Sequence, residues 1–132
     1  MTAKLEQALV QQFINGNFGL PIAHENKAFE PSANTAYAEI SSFVNDETAL
    51  SLKHSDQTDG FFQVILLYPV NDFSWAAKNK ADEIRNVFKI GLRLTNDGHK
   101  LTVIRRSADK GFNEDGWYKI VLRVYFTAVL PR

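Results

Sequence analysis

The chain has 132 residues, 45% hydrophobic and 23% charged, which predicts one domain over 1–132 with a core of its own and excludes wholesale disorder. Fifteen basic side chains cancel fifteen acidic ones, so no global field draws it to nucleic acid or to an anionic membrane. Cysteine is absent, which removes disulfides, thiolate nucleophiles and zinc–thiolate sites. Met1 to Gly16 lacks the pattern of an export signal, and the best apolar run, Val64 to Leu67, is far short of the ~20 residues a spanning helix needs. A soluble protein with no membrane partner is expected.

Leu5, Leu9 and Phe13 recur every four residues among polar neighbours, predicting a one-sided helix with Thr2 as N-cap and Asn15-Gly16 as its end. Asn17 to Asn34 carries Gly19, Pro21 and Pro31 and reads as an irregular connection with a short extended piece at Leu20 to Ala23. Thr35 to Val44 alternates as a half-buried strand does, and a second strand follows in Thr48 to His54. Asp59-Gly60 then opens a strand from Phe61 to Tyr68 that is apolar on both faces except at Gln63, and Pro69 stops it.

Ala77, Ala81, Ile84 and Phe88 define a second amphipathic helix, capped by Asp72 or Ser74 and ended by Gly91. Asn96-Asp97-Gly98 is a turn into the strand Lys100 to Arg106, Ser107 to Gly116 is a polar loop, and Tyr118 to Thr127 alternates as the clearest strand of all. The expected fold is α+β, a mainly antiparallel sheet of about five strands packed against two helices in the order α-β-β-β-α-β-β.

Chemistry has little to work with. No serine stands in a nucleophile context, and Ser41-Ser42 lies in a strand. His24, His54 and His99 are scattered, Asp46, Glu47, Asp56 and Asp59 follow no calcium-loop pattern, and Gly16 and Gly19 belong to no phosphate-binding motif. The carboxylate pairs Asp82-Glu83 and Glu114-Asp115 read as solvated helix and turn residues. No catalytic residue, cofactor or metal site is expected.

Two surface features stand out. Arg105, Arg106, Lys110, Lys119 and Arg123, with Trp117 and Tyr125 as stacking faces, could make a small nucleic-acid-binding module, or simply the solvated or subunit-facing side of a sheet. Phe18, Phe29, Phe43, Phe73, Trp75 and Phe112 fall outside the periodic patterns, as core fillers or as anchors for another subunit.

Phe29-Glu30-Pro31, Tyr37-Ala38-Glu39-Ile40, Gly60-Phe61-Phe62-Gln63-Val64 closing at Pro69, Ala81-Asp82-Glu83-Ile84 with Phe88, and the later strand at Trp117 stand in an order that resembles the tail terminators of long-tailed bacteriophages, from about Asn17 to Phe126. The resemblance implies a virion tail subunit, present in host cytoplasm during assembly, that forms a ring, commonly hexameric. Such a ring caps the tail tube and offers its other face to a head-completion or connector protein. It brings no catalytic residues, and no sequence-specific contact with nucleic acid is expected. A head–tail connector would share ring formation. For subunit or tube contacts the expected residues are Glu39, Phe43, Asp56, Arg105, Arg106, Phe112 and Arg123, with loops at Asn45 to Glu47, Ser55 to Asp59 and Ser107 to Gly116 serving the axial contacts.

Overall fold

The computed structural model describes residues 3–25, 27–32, 34–45, 48–49, 55–70 and 74–131. Helix α1, Ala3–Asn15, turns Leu5, Leu9 and Phe13 into the core, as their four-residue spacing requires. It ends at Asn15-Gly16 as expected, but the left-handed residue is the next one: Gly16 N–H donates to the Gln12 and Phe13 carbonyls, while Asn17 takes φ 50°. Gly16 is needed for space, because a Cβ there would meet the Phe18 ring. Thr2 lies outside the described residues.

The strands are β1 Ile22–Ala23, β2 Tyr37–Val44, β3 Thr48–Ala49, β4 Ser55–Pro69, β5 Arg93–Asn96, β6 His99–Ala108, β7 Phe112–Glu114 and β8 Trp117–Pro131, with helix α2 at Ser74–Val87 between β4 and β5. They form one sheet in the order β1-β2-β4-β8-β6-β5, with β3 also on β4 and β7 also on β8. Every pairing is antiparallel except that of β1 with β2.

The α+β class and both helices match the expectation, and the extended piece before residue 24 is β1; the strand count does not match. Ser55 to Asp59 is strand, because the hydrogen-bonding partner β8 runs on to Pro131 and supplies a mate for every residue of β4. The turn-like residues Asp59 and Gly60 are held inside the ladder by pairing that no local preference reveals. Gly60 is also the residue that lets β2 approach, since a Cβ on it would collide with the Phe43 carbonyl. Ser107 to Gly116 is only partly loop: β6 continues to Ala108, and β7 folds onto β8 through Asp115-Gly116, whose φ values of 53° and 82° make a two-residue hairpin turn. Arg93–Asn96 adds a strand not expected from the sequence, joined to β6 by the same kind of turn at Asp97-Gly98. Of the strand expected at Thr48 to His54, Thr48 and Ala49 pair with β4; residues 50–54, Asp46, Glu47, Asp72 and Phe73 lie outside the described residues.

The core sits between one face of this sheet and the two helices. Even-numbered residues of the two long strands, Phe62, Val64 and Leu66 on β4 and Ile120, Leu122, Val124 and Phe126 on β8, meet Leu9, Phe13, Ala77, Ile84 and Phe88. Phe62 is central, with its ring centroid 6.2 Å from Phe13 of α1 and 5.5 Å from Phe88 just beyond α2. Phe62→Ala is expected to cost about 3–5 kcal/mol, because the surrounding rings cannot collapse fully into the void. Chemical denaturation of the variant measures this, and a loss below about 1 kcal/mol would contradict a shared core at Phe62.

Candidate interaction surface

Among the described residues, no helix covers the opposite face of the sheet. Alternation along β4 and β8 sends Phe61, Gln63, Ile65, Tyr125, Arg123, Val121 and Lys119 to that side, where all are half-buried. Register then aligns a row across four strands: Phe43 of β2 faces Phe61 of β4, Phe61 faces Tyr125 of β8, and Tyr125 faces Arg105 of β6. Phe43 and Phe61 stack at 4.7 Å, Phe61 and Tyr125 lie 5.5 Å apart, and the Arg105 guanidinium sits 3.9 Å above the Tyr125 ring. Arg123 donates through Nε to Gln63 Oε1 at 3.1 Å and lies 5.5 Å from the Phe61 ring centre. Each cation–π contact contributes about 0.5–1 kcal/mol at this exposure.

Arg105 reaches this face because of a bulge. Register shifts between Val103 and Arg105, with Ile104 as the extra residue, so the inward series Leu101, Val103 resumes at Arg106 instead of Arg105. Arg106 therefore turns to the helix side, where Nη1 donates to the Arg85 carbonyl at 2.6 Å in the last turn of α2. Among the other expected contact residues, Glu39, Phe43 and Arg123 join Arg105 on the open face. Phe112 is there too, opposite Lys119 and 41% exposed. Asp56, opposite Leu130, falls on the helix side by alternation. Phe18 packs on Phe13 and Phe29 on Tyr37, while Trp75 is exposed in the first turn of α2.

Phe61 is the residue that sequence reasoning missed as a surface group. The signal was its odd-numbered place with Gln63 and Ile65 in a strand needing helix cover on only one side. Below it the open face is closed by Phe29, Tyr37 and Trp117, the last two edge to face at 5.1 Å. Beside them Lys119 donates to Glu114 at 2.7 Å. That bond, then the neighbouring Glu114, Asp115 and Glu39 charges, raise the lysine pKa above 10.5 despite some desolvation. Burial first and Glu39 second raise the Tyr37 phenol above 10.0, with Lys119 opposing.

Charge is distributed unevenly across this face. Glu25 and Glu39 line a shallow groove with His24 and Gln63 beside β1 and β2, whereas Arg93, Lys100 and Arg105 stand exposed on β5 and β6. Among the described residues, charged groups on α2 pair locally. Asp82 is near Arg85 and Glu83 is 2.9 Å from Lys80. No group of three or more metal-ligating side chains occurs among the described residues, and no described helix is long and apolar enough to cross a membrane.

A family described as "phage tail terminator protein" matches residues 2–126 of the chain. Nothing among curated proteins matches it. Of solved structures, one chain with no descriptive name superposes with a TM-score of 0.69 at 22% identity, over 96% of this chain and 91% of that one. A chain from the virion of a native gene transfer agent particle superposes at 0.65 and 16% identity, over 99% and 97%. At these identities the structures establish a shared fold.

Two raised pKa values at one end of the face predict alkaline sensitivity. A lysine or phenol that holds its proton more tightly when folded stabilises the fold fully below its unfolded value and stops doing so as pH climbs through the folded one. Stability should therefore be level up to about pH 10 and fall above it, and Lys119→Met should flatten the lysine part of that fall. Urea midpoints from pH 8 to 11.5 check this; identical curves for both proteins would contradict the Glu114–Lys119 contribution.

Proposed function

This chain belongs to the phage tail terminator family, and from that premise we propose that it acts by closing into a ring that caps the tail tube and ends its growth. Membership gives a structural role in a virion tail, which points away from catalysis. A chain of the same fold in the virion of a gene transfer agent particle supports the placement.

The observation that carries the ring is the pairing of sheet order with charge. Glu39 on β2 and Arg105 on β6 share one face, separated by β4 and β8, so they stand on opposite flanks of the subunit. A cyclic assembly repeats one heterologous contact in which a flank of each copy meets the other flank of the next. Glu25 and Glu39 on one side and Arg93, Lys100 and Arg105 on the other suit that contact, and they also discourage like flanks from meeting. A neutral chain with charge divided this way assembles head to tail.

Phe43 and Phe112, large apolar side chains exposed on the same face, are assigned to anchoring the ring on the tube. A ring seated on the last layer of tube covers the surface to which the next tube subunits would add. Length control is then a competition between two interfaces, with no bond made or broken. The same ring leaves a second face for a head-completion protein.

Charge reversal tests the contact. Glu39→Arg or Arg105→Glu alone should abolish rings in light scattering and electron microscopy, because each places like charges together, and the double reversal should restore them in part. Particles made without the protein should carry overlong or headless tails. Full-length tails with leaking heads would instead favour a connector role.

A further inference from the structure

The main path of the sheet ends in β1 on one flank and β5 on the other, each with an outer edge that has no strand partner among the described residues; the short β3 and β7 also pair on one side only. Such edges invite pairing with another chain. Between α1 and β5 runs a groove of about 510 Å³, walled by Gln7, Gln11 and Asn15 from the helix and by Thr95 and Asn96 from the strand. We infer that this groove receives the β1 segment, Leu20 to Ala23, of a neighbouring copy, so that the sheets of successive subunits join edge to edge around the ring. The inference rests on the ring reading above and names the backbone contact that would close it.

Backbone direction supports a strand as occupant. The Asp97-Gly98 turn makes Asn96 and His99 the closing pair, and Leu92 accepts from Val103 N at 2.9 Å, so even positions of β5 bond inward to β6. Arg93 and Thr95 therefore direct their amide and carbonyl groups outward along the groove. On the other flank, Ala38 N donates to the Pro21 carbonyl at 3.0 Å, which turns Pro21 toward β2 and leaves Ile22 N–H and C=O on the outer side. The missing amide of Pro21 thus costs the free edge no donor.

Charge selects the occupant. From Gln7 to Ala23 there is not one charged residue, in a chain where 23% are charged, and that stretch supplies both the helical wall of the groove and the β1 segment. The carboxamides of Gln7, Gln11 and Asn15 each carry a donor and an acceptor, as a peptide backbone does. Gln11 and Asn15 are joined at 2.8 Å, and Asn96 donates to the Lys4 carbonyl at 2.9 Å, so the wall is braced from within. Just outside the neutral strip lie Arg93 on one flank and Glu25 on the other, and seating the segment brings these opposite charges to the same seam. Opposite edges of one subunit are what a closed ring must match, and joining them covers both ends of the main strand path.

The absence of cysteine allows a direct test in the full chain. Thr95→Cys with Ala23→Cys, treated with a short bismaleimide, should give a ladder of covalent multimers that stops at the copy number of the ring. Neither single variant should link. Thr95→Pro removes one outward amide without touching the bonds to β6, and should raise the concentration for half-assembly about tenfold. Rings visible by electron microscopy with no ladder would overturn edge pairing and leave the ring intact. Multimers from either single-cysteine variant would do the same, since they require identical edges to meet. A chain that stays monomeric alone and with purified tail tubes would overturn both readings.

Discussion

Fifteen consecutive residue pairs join β4 to β8, and because side chains alternate, that one register decides for both strands which residues meet the helices and which meet solvent. A slip of a single residue would exchange Phe62 with Phe61 and Val124 with Arg123, burying a guanidinium and exposing the core. The helices enforce the register from one side, since only the even-numbered face offers them a continuous apolar surface. All of the surface chemistry described above is the other half of the same alternation.

Much of this was legible in the residues. The four-residue spacings in α1 and α2 and the alternation after Trp117 each report a buried face directly, and so these elements were placed within a few residues of their true ends. What was not legible depends on pairing at a distance. Asp59-Gly60 carries the local mark of a turn, yet a fifteen-residue mate in β8 holds it in the ladder. Asn113 to Gly116 is equally polar and does turn, because β7 folds back on β8 there.

The open face shows the same division. Arg123, Phe43 and Glu39 follow simple alternation and lie where their neighbours in sequence put them. Arg105 and Arg106 do not, because the bulge at Ile104 reverses the phase of β6 in its middle. Without that extra residue Arg106 would face outward and Arg105 would point at α2. Two adjacent arginines that look alike in the sequence thus have separate occupations: one binds the end of a helix, and the other lies over an aromatic ring.

That second arrangement bears on the life of the subunit before assembly. A bare row of phenylalanine and tyrosine on a newly made chain is sticky toward anything apolar in a crowded cell. Arg105 lying across Tyr125, and Arg123 beside Phe61, spread hydrated charge over rings that would otherwise be naked. In the proposed ring a neighbour's carboxylate would draw the guanidinium aside, whereas a merely greasy surface has nothing to offer it. On that proposal the row stays dormant in free subunits and becomes adhesive only when the matching flank arrives.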